Sequence, residues 1–273
     1  MKKVGTVAIY LYLGIVFIIT IFPLIWVLMQ SFKPTKEIVS SPLSLPKNLY
    51  LTGYADAMRL APITTFYANS IIIAIASMFL TVLLYSMCAY VLSKKRSILT
   101  IVLVSLFSLS MYVPRSALMQ PIFRIVLDLG MYDRRSGLVL VYTAFNMPVT
   151  LFLLRSQFLS VPAAIEESAY IDGASIPKTL FLIMIPIIKP GLATAAILSF
   201  INSWNEFLFA LILTSSEKTR TLPLALNYFT SQFNYNYSAL FAALVIVMFP
   251  NILVFILMQE RVIGGMTAGA VKG

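Results

Sequence analysis

Long blocks of apolar residues, each closed by a short cluster of charged residues, prolines or glycines, organise this chain. Six of them reach or approach the ~20 residues that a helix needs to cross a hydrocarbon layer. They are 7–29, 67–92, 97–113, 136–159, 187–213 and 238–258. The first follows Lys2-Lys3 and could pass for a secretory leader. It is longer than the ~7–15 apolar residues of a leader core, and no small-x-small cleavage site follows it. Pro23 predicts a kink within it. Between the first two blocks, residues 31–66 read as a polar loop broken by Pro34, Pro42, Pro46 and Gly53, without a core of its own. Ile122, Phe123, Ile125, Val126 and Leu129 predict an interfacial helix inside the 120–135 loop. Residues 214–237 form a loop rich in Asn and Tyr, and 259–273 a tail. Asn69 reads as a helix-start cap, and Asn146 as a partner for backbone groups freed by Pro148. No short-period repeat or low-complexity tract appears, so residues 1–273 read as one all-α, six-span domain of a polytopic membrane protein.

The one long polar interruption with a clear internal order is 160–186. Ser160 predicts a helix cap, and Pro162 suits a first turn, where a missing N–H costs nothing. Ala163 to Ile171 predicts a short helix carrying Glu166 and Glu167. Asp172-Gly173 stops it, with Gly173 in the left-handed conformation that follows a last turn. Ser175 and Pro177 begin a second helix that stays apolar up to Pro186 and Pro190. The result is a helix–turn–helix between two spans, placed to be held by something outside the membrane.

Composition narrows the function. Apolar residues make up 60 % of the chain and charged residues only 11 %, which is not a soluble domain. The net charge of +10 would suggest nucleic acid in a soluble protein. Here the basic residues flank apolar blocks, as membrane edges do, so the partner is the lipid bilayer and no nucleic acid is expected. Histidine is absent, which removes Ser-His and Cys-His nucleophile pairs and the commonest metal ligand; no metal site is expected. Cys88, the single cysteine, lies in an apolar block and reads as a core residue. No G-x-x-x-x-G-K-[ST] phosphate loop occurs, so the chain does not bind ATP that way.

Within the hairpin, Glu167-Ser168-Ala169, three residues, Gly173, nine residues and Ile183-Met184-Ile185-Pro186 resemble the EAA loop of ABC-importer permeases, with the pattern E-A-A, three, G, nine, I-x-L-P. Ser168 and Ile185 are mild departures. Pro23-Leu24-Ile25-Trp26 with Ser31-Phe32-Lys33, Asn69-Ser70, and Ser203-Trp204-Asn205-Glu206-Phe207 are similar to carbohydrate permeases of that family. The tail 265–273 resembles the end of the six-span subunit of maltose-type importers. The resemblance implies a sugar-importing permease subunit that performs no covalent chemistry and needs no cofactor, ATP being bound by partner subunits. It implies a second permease subunit, forming a heterodimer, two cytoplasmic ATP-binding subunits and an extracytoplasmic sugar-binding protein, at a bacterial inner membrane. It also implies that the hairpin is cytoplasmic and contacts the ATPase, with Glu166, Glu167, Ser168, Ala169, Asp172, Gly173 and Pro186 as coupling residues. With the hairpin inside, the 20 basic residues divide evenly between the two sides. The amino terminus and the 94–96 turn, both close to spans, then favour cytoplasmic termini.

In the fifth span, Ser199, Asn202, Asn205 and Glu206 fall on one stripe of a continuous helix. A carboxylate in a span costs several kcal/mol unless it faces a partner or a wet cavity. The stripe can line the sugar path, or it can hydrogen-bond across a helix–helix interface; both readings stand. Trp204 lies about 200° from Asn202 and reads as a core residue. The rival functions are an ABC permease for a non-sugar solute and a secondary transporter, whose inverted repeats are not seen.

Overall fold

The computed structural model describes residues 2–94, 97–229 and 235–270, with backbone alone for residues 2–5, 7–8 and 258–270. Lys95 and Arg96 of the basic turn and residues 271–273 of the tail motif lie outside the described residues. The helices are α1 (Lys2–Gln30), α2 (Thr35–Ser40), α3 (Thr52–Leu60), α4 (Ile63–Lys94), α5 (Ile98–Ser110), α6 (Met119–Asp128), α7 (Arg135–Ser160), α8 (Ala163–Ile171), α9 (Ile176–Thr179), α10 (Ile185–Ile187), α11 (Lys189–Trp204), α12 (Leu208–Leu213) and α13 (Tyr237–Ala270). No β-strand occurs among the described residues.

Among the described residues, four helical stretches are long and apolar enough to cross a membrane unaided: Ile9–Gln30, Ile63–Lys94, Arg135–Ser160 and Tyr237–Leu257. Two bent pairs bring the number to six if each is one span. Ile98–Ser110 turns by 100° into Arg115–Asp128, and Ile176–Ile187 turns by 84° into Lys189–Trp204. The predicted third span is therefore short: the 13 residues of α5 cover about 20 Å against the ~30 Å of a hydrocarbon core. The predicted fifth span, 187–213, is two helices rather than one. The sixth predicted span and the tail are continuous in α13, which contains Pro250 and no further proline up to Ala270.

The chain divides into two compact units, Met1–Thr64 with Leu222–Pro250, and Thr65–Thr221 with Asn251–Gly273. In the first unit the 31–66 segment is not a coreless loop. Ala57, Ala61 and Ile63 are buried, and side chains at the end of α1 hold the loop. Trp26 donates Nε1–H to the Pro42 carbonyl at 2.7 Å, and Gln30 Nε2 donates to the same oxygen. Lys33, fully buried, donates to the Ser41 carbonyl at 3.1 Å and Ser44 Oγ at 3.3 Å. Buried loop carbonyls need donors, and the polar end of α1 supplies them. The rings of Trp26 and Phe241 meet edge to face at 5.3 Å.

In the second unit a core of Ala89, Tyr90, Leu92, Leu151, Leu154, Phe158, Leu180, Met184, Ile188 and Ala195 gathers the ends of α4 and α7, the 180–188 stretch and the start of α11. Gly191 makes that approach possible, since a Cβ there would lie 2.4 Å from Gln157 Cγ. Residues Leu180–Met184 widen into a π-helical turn. Pro186 follows, whose ring would clash with the carbonyl of Leu182 in a regular α-helix, and the wider turn relieves that clash.

Candidate functional site

The hairpin comes first because its local signals are strongest. Helix α8 spans Ala163–Ile171, as its flanking residues predict, but its start is not capped as expected. Pro162 occupies the cap position, and Ser160 Oγ donates back to the Gln157 carbonyl of the preceding helix at 2.7 Å. The end follows the rules closely. Gly173 has φ +76°. The Ala174 N–H donates to the Ala169 carbonyl at 2.9 Å and the Gly173 N–H to the Tyr170 carbonyl at 3.0 Å. These two bonds form a Schellman motif that satisfies the last carbonyls of α8. Any residue with a Cβ at 173 would pay about 1 kcal/mol or more for that φ.

The helix splits the predicted coupling residues into two faces. Glu167, Ser168 and the turn residues Asp172 and Gly173 are exposed, as is Pro186 further along. Ser168 Oγ donates to the Ala164 carbonyl at 2.8 Å. Glu166 and Ala169, one turn apart, face inward and are buried. Both belong to the predicted coupling set, and both side chains face the interior of this unit rather than solvent. Glu166 is engaged within the chain: it accepts O–H from Tyr90 and, at 3.1 Å, from Tyr170, and it pairs with the Lys94 ammonium. Lys94 also stands over the Tyr90 ring, 4.7 Å from its centroid. Sequence reasoning missed Tyr90 and Tyr170 and saw Lys94 only as a span edge. A signal was available, since Tyr90/Lys94 and Glu166/Tyr170 are each i,i+4 pairs, one carrying a positive charge and the other a negative one.

The second predicted set does not form one stripe. Helix α11 ends at Trp204, and a new helix, α12, starts at Leu208. Glu206 is buried and its carboxylate accepts the N–H groups of Phe209 at 2.9 Å and Ala210 at 3.1 Å. In a continuous helix those N–H groups would bond to the carbonyls of Asn205 and Glu206. The side chain competes for them and wins, so the helix breaks. Ser199, buried, offers its carbonyl to Asn146 Nδ2 at 3.4 Å. Asn146 also donates to Ser203 Oγ at 3.0 Å and accepts from Asn202 Nδ2 at 3.3 Å. It thus serves a neighbouring helix rather than the groups freed by Pro148. Asn202 and Asn205 are exposed, and Asn205 Oδ1 accepts from Asn251 Nδ2 at 2.6 Å. Arg115, Tyr142, Phe145, Asn146, Asn202, Ser203 and Glu206 line one small crevice. The Arg115 guanidinium lies 5.1 Å from the Phe145 ring centroid.

Asn69 is another correction. Helix α4 starts six residues earlier, at Ile63, so Asn69 caps nothing. It donates Nδ2 to the carbonyls of Lys218 at 3.1 Å and Arg220 at 2.8 Å, fastening the 214–221 loop.

Residues 82–263 match the family described as the binding-protein-dependent transport system inner membrane component. The diacetylchitobiose uptake system permease protein NgcG of Streptomyces coelicolor is 36 % identical over 262 residues, covering 93 % of this chain and 85 % of that protein. The trehalose transport system permease protein SugB of Mycobacterium tuberculosis is 31 % identical over 255 residues, 93 % of this chain and 93 % of that protein. The sulfoquinovosyl glycerol transport system permease protein SmoH of Agrobacterium fabrum is 34 % identical over 254 residues, with coverage of 93 % and 89 %. Among solved structures, a chain of a bacterial ABC transporter involved in the import of the acidic polysaccharide alginate has a similar fold. The TM-score is 0.82 at 24 % identity, covering 95 % of this chain and 96 % of that one.

Proposed function

The chain belongs to the family of inner-membrane components of binding-protein-dependent transport systems, and we propose that its α8 hairpin is where ATP hydrolysis by partner subunits is coupled to transport. The protein is a permease subunit of a carbohydrate ABC importer. It works with an ATPase and a binding protein. In our reading two ATPase subunits sit in the cytoplasm, a second, non-identical permease completes the pathway, and both termini are cytoplasmic. The chain itself holds no cofactor in this reading.

One observation carries the coupling role. Ile171, at the tip of α8, is 86 % exposed, and Ile176 across the turn is 60 % exposed. Two large aliphatic side chains beside Glu167 and Asp172, on a segment that closes its own backbone bonds, make a surface suited to a protein cleft. The ATPase supplies the drive because its closed, nucleotide-bound state grips this surface differently from its open state.

Asn202 and Asn205 present exposed amides, and we assign the sugar path to them. Ser199 and Glu206 are buried, and we assign them to structure. Pro186 and the π turn beside it join the hairpin to α11.

The test uses purified complexes in proteoliposomes with sugar-loaded binding protein. Glu167→Lys and Ile171→Asp are expected to insert normally and to release the ATPase subunit or abolish its stimulation. Full stimulation and full uptake in both variants would refute the coupling role.

A further inference from the structure

Glu166 is a carboxylate that the coupling surface does not use. It points away from the exposed face of α8 and is 6 % exposed. Its Oε1 receives the hydroxyls of Tyr90 and Tyr170, and its Oε2 the ammonium of Lys94. Tyr90, buried, and Lys94, exposed and one turn on, close α4. The same end of α4 is also tied to α7. Tyr90 meets Phe158 edge to face at 5.4 Å, and Arg155 donates Nε–H to the Leu92 carbonyl at 3.1 Å.

We propose that Glu166, Lys94 and Tyr90 form a latch that passes the displacement of α8 to the second span, α4, making them positioning residues for coupling rather than contacts of the ATPase. The inference rests on the coupling role of the hairpin given above. The chain joins α8 to its neighbours only through Val161-Pro162 at one end and the 172–175 turn at the other. Such joints transmit a pull but let a helix roll. A roll of α8 about its axis would carry Glu166 out of its cluster. That would leave the buried Tyr90 hydroxyl without its acceptor and part the Lys94 ammonium from its carboxylate, which is more costly than breaking an exposed pair. The carboxylate therefore forbids the roll, and α8 and the end of α4 move as one body. Through Arg155 and Phe158 the end of α7 moves with them. Displacement then enters the unit at three helices instead of at the Pro186–Pro190 joint alone.

A cluster that only stabilised the resting fold would lower the yield of folded complex and leave its sugar-to-ATP ratio alone. The latch lowers the ratio in complexes that have assembled. The experiment measures sugar uptake per ATP hydrolysed, and the amount of bound ATPase subunit, in proteoliposomes carrying complete complexes. The variants are Glu166→Gln, Lys94→Met, Tyr90→Phe and the charge swap Lys94→Glu with Glu166→Lys. In Glu166→Gln and Lys94→Met, we expect bound ATPase at the parental amount and a ratio about tenfold lower, within the usual span of coupling between sites. Tyr90→Phe keeps the ring on Phe158 and should lower the ratio less. The swap should recover most of it. A parental ratio in both Glu166→Gln and Lys94→Met overturns the latch. So does loss of the ATPase subunit from Lys94→Met, which would put the pair in the docking surface itself. If Glu166→Gln does not assemble, Lys94→Met alone decides. Should Glu167→Lys uncouple while these variants do not, the latch falls and the coupling role stands. Should Glu167→Lys and Ile171→Asp also be silent, it is the coupling role that falls.

Discussion

Asp133 is a second fastener of the loop that Asn69 holds. It is the one described non-glycine residue with positive φ, +54°. Its N–H donates to the Leu213 carbonyl at 2.9 Å. Its Oδ1 accepts N–H from Ser215 at 2.9 Å and Ser216 at 3.1 Å, and O–H from Thr219. Burial pushes the carboxyl up, but the hydrogen bonds of Thr219, Ser215 and Ser216 outweigh it and hold the group well below the usual Asp range. A depressed carboxylate stabilises the fold fully above its unfolded value of roughly 4, and that contribution is lost as pH falls through the folded value. Asp133→Ala should therefore speed amide exchange at residues 215–219, by about 5- to 100-fold for donors left unsatisfied. In the parent protein the same residues should loosen only below about pH 4. Unchanged exchange in the variant would show that Asn69 and the weaker Arg135–Lys218 contact, at 3.4 Å, suffice without it. Nothing in the sequence marks Asp133, because all of its partners lie about 80 residues away.

Among the elements, the break between α11 and α12 is the clearest departure from periodicity. No proline or glycine lies between residues 192 and 213, so the apolar run reads as one helix. Glu206 makes the break by taking the N–H groups of Phe209 and Ala210. Removing that acceptor should cost on the order of 1 kcal/mol, as for a lost helix cap, and should let the two helices fuse. Glu206→Leu is expected to assemble, to melt a few degrees lower in detergent and to transport poorly. Glu206→Gln, which keeps one oxygen acceptor, should be milder. Parental melting and uptake in Glu206→Leu would mean that the break has another cause and no role. The hairpin behaves in the opposite way. Its helix bounds and its turn were legible because each rests on a local rule: proline at the start, Asp-Gly at the end, glycine where φ is positive. Only the inward direction of Glu166 and Ala169 was not legible, since it depends on where α4 and α7 end.

At the scale of the whole molecule, the prediction is sidedness. In a Cys88→Ser background, Ser175→Cys should resist an impermeant thiol reagent in intact cells, and Asn48→Cys should react. Both positions are exposed, so reactivity reports the side of the membrane rather than burial. Labelling of residue 175 from outside would reverse the orientation and remove the hairpin from the reach of any cytoplasmic ATPase.

The sequence by itself determined the apolar blocks, the all-α class, the hairpin with its left-handed Gly173, and the family, through spacings that survive in the chain order. These follow from hydrophobic periodicity and from backbone conformations that neighbouring residues impose. Tertiary structure alone decided which polar side chains are engaged. Asn69 reaches a carbonyl 149 positions away, Glu166 a hydroxyl 76 positions away, and Asn146 a hydroxyl 57 positions away. Lys33 is buried against loop atoms that no periodicity places beside it. A polar group withdrawn from water must find a partner wherever the fold brings one, and along a single chain that partner carries no local mark.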